Sequence, residues 1–130
     1  MSGVTEDLDV PRDEAIEVEA LLRRVSPDVA ALVDEHIEDN DEVLPTLLLA
    51  DAARWYVEVV TSGLGLDAAH RLLDELEASY REAGANLRNT IATGFLETLP
   101  DPDEKGRGSV DLLPSSLREK LDRMEIGHRT

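Results

Sequence analysis

Cysteine is absent from all 130 residues. That removes disulfides, thiolate metal sites, iron–sulfur ligation and thiol nucleophiles. Aromatic residues are nearly as scarce, with one Trp, two Tyr and one Phe. A core must therefore come from Leu, Val, Ile and Ala, a composition that favours helix over sheet. Lysine occurs only at Lys105 and Lys120, while the other eleven of thirteen basic residues are arginine; this usage fits a GC-rich bacterial genome. A long uncharged apolar run is also missing. The longest apolar stretch, 43–60, contains Asp51, Arg54 and Glu58, charges that a lipid-spanning helix excludes. The first fifteen residues are acidic and lack the apolar centre of a signal peptide. The expected location is the cytoplasm, with no membrane partner.

Negative charge is what the chain has in excess. The net charge is −16, against the roughly 2–8 in magnitude that suits a small domain. The acidity is uneven: residues 1–42 carry −11, residues 43–99 carry −4 and residues 100–130 carry −1. Such a field repels nucleic acid and anionic membranes and steers a basic protein toward the chain. Solubility alone is the other explanation of the same charge.

Helical periodicity runs through most of the sequence. Residues 1–10 are polar and aperiodic, and read as a flexible segment. Pro11 suits a first helical position, and Ala15, Val18, Leu21, Leu22 and Val25 form one apolar stripe. Ser26, Pro27 and Asp28 form a helix start, followed by Val29, Leu32, Val33, His36 and Ile37 at helical spacing, with Asn40 as the stop. The segment of about 44–62 is apolar almost all round, so it belongs at the centre of the fold. Its polar exceptions Asp51, Arg54 and Glu58 form one narrow line able to pair along the helix.

Gly63 and Gly65 punctuate the next turn, and Ala69, Leu72, Leu73, Leu76, Tyr80 and Ala83 mark an amphipathic helix that ends at Gly84. Its outer side offers the pairs His70/Asp74, Arg71/Glu75 and Glu77/Arg81. Residues 86–99 read as a helix capped by Asn86, with Gly94 permitting a close crossing; a strand over 90–96 is the alternative. A mobile loop is expected over 100–110. A last helix follows with the stripe Leu113, Leu117, Leu121 and Met124, the capping-box spacing Ser116–Glu119, and a frayed tail at 126–130. The expected fold is all-α: a single helical domain over 11–125, made of five to six helices around the central apolar one.

The site chemistry is thin. In "HIEDNDEVLP" (36–45), Asp39 and Asp41 have the first spacing of a calcium loop, but Val43, Leu44 and Pro45 stand where further ligands and the turn would be. Asp67-x-x-His70 is the nearest approach to a two-metal carboxylate motif and falls on an outer face. His36 reads as a helix-face residue, and Ser26, Ser62, Ser115 and Ser116 occupy caps and turns. No metal, cofactor or catalytic residue is therefore expected. The densest charge cluster, Glu35, Glu38, Asp39, Asp41 and Glu42, is the candidate surface for a partner's Lys or Arg, with solvated helix ends as the alternative. Asp41 and Glu42 are expected at the start of the central helix, where negative charge is stabilised, leaving Glu38 and Asp39 as the better contacts.

Three stretches, "EDNDEVLPTLLLADAARWYVE" (38–58), "LRNTIATGFLETLP" (87–100) and "LLPSSLREKL" (112–121), resemble a family of short acidic bacterial proteins with a domain of unknown function. The resemblance spans roughly residues 30–125. It implies a small all-helical fold and supplies no activity and no functional residues. In general type, a small acidic helical protein also resembles the immunity proteins that neutralise toxins by binding them.

The functional expectation is thus a non-enzymatic protein-binding module, most concretely an immunity or inhibitor protein that covers the basic cleft of a toxin or another nucleic-acid-handling protein. The alternative is an accessory or self-associating structural helical protein, in the latter case a homodimer with Trp55 and Tyr56 as anchors. An enzyme without a recognisable motif stands third.

Overall fold

Ser26 starts a helix in the way its neighbours require. Its backbone is extended, its Oγ accepts the Val29 amide at 3.2 Å, and Pro27 takes the first turn with Asp28 behind it. The computed structural model describes residues 14–129, with side chains to Ile126. The expected N-terminal segment and the helix start at Pro11 lie outside the described residues. Every regular element among the described residues is helical, so the fold is all-α. Helix α1 covers 14–23. It is followed by α2 (Pro27–Asn40), α3 (Pro45–Ser62), α4 (Leu66–Glu82), α5 (Ala85–Gly94), two 3-10 helices (Leu96–Thr98 and Arg107–Leu112) and α6 (Ser115–Arg129).

Helix α3 is the centre, as its composition demands. It packs against α2, α4, α5 and both 3-10 helices, burying Leu48, Leu49, Ala52, Ala53 and Tyr56. Helix α5 approaches α3 closely at Gly94. A Cβ there would lie 2.7 Å from the Thr46 carbonyl oxygen and 2.8 Å from Leu49 Cβ, so only glycine lets the two helices cross at this distance. Residues 90–96, for which a strand was the alternative, are helical through Gly94 and then tighten into the first 3-10 helix. Phe95 and Leu96 are thereby turned into the core.

Several helix ends differ from expectation. Asn40 is the last residue of α2, and Asp41 takes the left-handed position at φ 62°. Asn40 instead donates its side-chain amide to the His36 carbonyl at 2.8 Å. Gly84 is extended rather than left-handed and precedes α5 as its N-cap, which places Asn86 inside the first turn. The end of α4 is closed by Arg88, whose guanidinium donates to the Tyr80 and Arg81 carbonyls at 2.8 and 3.0 Å. The Ser116–Glu119 box is not used as a cap. Helix α6 begins at Ser115, and the Ser116 and Leu117 amides donate to the Glu77 carboxylate of α4, both at 3.3 Å. Of the expected pairs along α4, Glu77–Arg81 forms, whereas Glu75 receives Arg24 and Arg71 donates to the Val25 carbonyl.

The loop expected over 100–110 is a loop only in its first part. From Arg107 the chain winds into the second 3-10 helix and buries Ser109 and Val110. Three contacts hold it there. Arg107 bonds the Pro100 carbonyl and the Glu125 carboxylate of α6, and the buried Tyr56 hydroxyl donates to the Ser109 carbonyl at 2.6 Å. Of the residues expected as a frayed tail, 126–129 belong to α6, which continues to Arg129; Thr130 lies outside the described residues.

Candidate functional site

Helices α2 and α3 are joined by residues 41–44 alone, so α3 folds back along α2. Each presents a stripe at i, i+3, i+4 and i+7 to the space between them: Leu32, Glu35, His36 and Asp39 from α2, and Asp51, Arg54, Trp55 and Glu58 from α3. That is the helical repeat of one face. Together with Asn40 they line a solvent-open groove of about 410 Å³. Leu32 and the half-buried Trp55 give it an apolar wall, and it holds four carboxylates against a single guanidinium.

His36 forms the base, with only 1% of its side chain exposed. Its Nε2 accepts the Leu44 amide at 3.0 Å. A nitrogen that accepts carries a lone pair, so the ring is the neutral tautomer with its proton on Nδ1. Nδ1 faces Asp51 Oδ2 at 3.6 Å. The contact with Leu44 matters locally because Leu44 is the N-cap of α3 and brings no capping side chain. His36 thus ties the end of α2 to the start of α3. In front of His36, the other Asp51 oxygen is bound by Arg54.

The five acids singled out in the sequence separate here. Glu35 and Asp39 line the groove. Glu38 is exposed on α2 outside the lining, and Glu42 is exposed in the turn. Asp41 closes the C-terminus of α2. The placement of Asp41 and Glu42 at the start of α3 is corrected, because the first turn of α3 begins only at Pro45 and contains no acid. Trp55 lies in the groove wall and is shared with an adjoining shallow cleft lined by Asp28, Ala31, Leu32 and Glu35. Tyr56, paired with Trp55 as an anchor for a second copy, is wholly buried, with its ring 5.7 Å from that of Phe95. Burial pushes its phenol well above the ordinary tyrosine range. Its hydroxyl and ring are used inside the chain's own core, so it offers no surface to another chain.

Asp51 and Glu58 are the groove residues that sequence reasoning missed. Their spacing along α3 also suits pairing with Arg54 within one helix. The signal that could have found them is the matching spacing on α2 and α3 with a short connection between the two. A second cleft, about 380 Å³, lies between the first 3-10 helix and α6, lined by Leu96, Glu97, Leu99, Asp101, Leu121, Met124 and Glu125. Its Glu125 is already bound by Arg107 at 3.0 Å. Among the described residues, no group of three or more His, Asp or Glu is arranged to hold a metal ion, and no helix is long and apolar enough to cross a membrane.

The chain belongs to the family described as a domain of unknown function (DUF7674), which it matches over residues 19–129. The matched region includes the whole α2–α3 groove. No curated protein and no solved structure matches it.

Proposed function

We propose that this member of the DUF7674 family is a non-catalytic protein-binding module of immunity or inhibitor type, acting in the cytoplasm, and that it takes a basic surface of its partner into the α2–α3 groove. One observation carries the reading: two packed helices converge four carboxylates and one tryptophan on a single open groove. Convergent acids on rigid helices can stand in for phosphates, so the fitting partner is a toxin or another protein with a basic, nucleic-acid-handling cleft. The buried imidazole at the base supports a binding role, because its Nε2 is committed to the Leu44 amide. The aromatic wall adds contact area that charge alone does not supply.

The test is charge reversal against a partner purified at low salt. Glu35→Lys, Asp39→Lys and Glu58→Lys combined are expected to weaken binding by at least about tenfold. The same reversal at Glu38 and Glu42, outside the groove, is expected to cost less per charge. Raising the salt weakens a complex of this kind. A complex indifferent to salt, or one lost equally through Glu38 and Glu42, would refute the groove as its contact.

A further inference from the structure

Arg54 is the only Arg or Lys among the described residues that line the groove, and it binds the groove's own Asp51. Its choice of partner has a physical reason. Within a helix an acid N-terminal to the base pairs better than the reverse order, which favours Asp51 over Glu58. Asp51 turns its Oδ2 toward the buried His36 ring, 3.6 Å from Nδ1, and its other oxygen meets Arg54. The Arg54 side chain is 63% exposed. A pair that exposed is weak and exchanges readily.

We propose that Arg54 is a built-in occupant: its guanidinium holds Asp51 in the free protein and is displaced by an arginine from the partner's segment. This rests on the reading of the groove as a docking site for a basic protein. The incoming side chain is an arginine rather than a lysine because the groove pairs carboxylates with an aromatic wall. A planar guanidinium can bond a carboxylate through two donors while lying against Trp55, which a compact ammonium cannot do. Arg54 thereby tunes affinity downward and selects partners whose arginine gains more from Trp55 than Arg54 does.

Trp55 is the only tryptophan in the chain, so its fluorescence reports on the groove directly. The probe is a blocked hexapeptide of alternating Arg and Ala, titrated at low salt into the full chain and into Arg54→Gln and Lys105→Gln. Lys105 is an exposed residue of the loop after Pro100, and its substitution makes the same change in net charge. Arg54→Gln is expected to bind the peptide about two- to fivefold tighter, with Lys105→Gln unchanged. Adding Asp51→Asn should remove the gain, because the contested carboxylate is gone. Equal or weaker binding by Arg54→Gln, or equal tightening by Lys105→Gln, overturns the exchange and leaves the groove as a docking site. No Trp55 response in any of the proteins overturns the groove reading together with the exchange.

Discussion

Glu77 belongs to α4, yet its carboxylate starts α6, and replacing it by glutamine should expose how much the last helix depends on a neighbour. The carboxylate accepts the Ser116 and Leu117 amides, each at 3.3 Å, and Arg81 Nε at 2.8 Å. The side chain is 12% exposed. Burial raises its pKa, but the Ser116 side chain, Arg81 and the two amides outweigh burial and hold it below the ordinary 4.5. Glu77→Gln keeps the shape and removes the charge. The Gln oxygen can replace only one of the two that accept the Ser116 and Leu117 amides, so a cap worth about 0.5–2 kcal/mol is weakened, and the exposed Arg81 pair adds about 0.3–0.5 kcal/mol. The expected destabilisation at neutral pH is about 1–2 kcal/mol, or a fall in Tm of roughly 3–8 °C for a domain of this size.

The pH dependence has a definite sign. A carboxylate with a lowered folded-state pKa stabilises the fold above its unfolded value, and that stabilisation is lost as pH falls through the folded value. The gap between wild type and Glu77→Gln should therefore be full at neutral pH and close as pH drops below about 4.5. Urea unfolding followed by far-UV circular dichroism, from neutral pH down to about pH 3, measures it. A gap that stays constant across that range, or a Gln variant as stable as wild type at neutral pH, would refute the capping role.

Two further substitutions probe the elements that shape the groove. Gly94→Ala places a methyl group 2.7 Å from the Thr46 carbonyl oxygen, and thermal unfolding should show a loss of about 1–3 kcal/mol; Gly84→Ala, with nothing within 4 Å of the added carbon, should change little by comparison. His36→Leu removes the acceptor of the Leu44 amide. It should cost about 1–3 kcal/mol, and hydrogen exchange should speed up at Leu44 and through the first turn of α3 more than in α6.

The features legible from sequence are those decided within one turn of helix. Ser26, Pro27 and Asp28 start α2 through contacts that reach no further than Ala30. The stripes of α4 and α6 bury the residues their spacing marks, from Ala69 to Tyr80 and from Leu117 to Leu121. The apolar girth of α3 announces its central place. That same girth hides the distinction that matters at the site. On a helix apolar almost all round, periodicity cannot say that Tyr56 faces Phe95 while its neighbour Trp55 forms the wall of a groove. The acids near residue 40 stood out by density, yet density is a one-dimensional property, and only Glu35 and Asp39 of the five line the groove with Asp51 and Glu58.

By itself, then, the sequence determined that the chain is helical, where most helices lie and which stripes are buried. These follow from propensity and from contacts three or four residues apart. Tertiary structure alone decided how the ends without a local cap are closed and where the charges converge. Glu77 starts α6 across 39 positions, and Tyr56 holds the second 3-10 helix across 53. A helix end leaves donors or acceptors that any correctly placed group can satisfy, and a groove exists only once two helices have packed. Neither is a property of any short stretch of the chain.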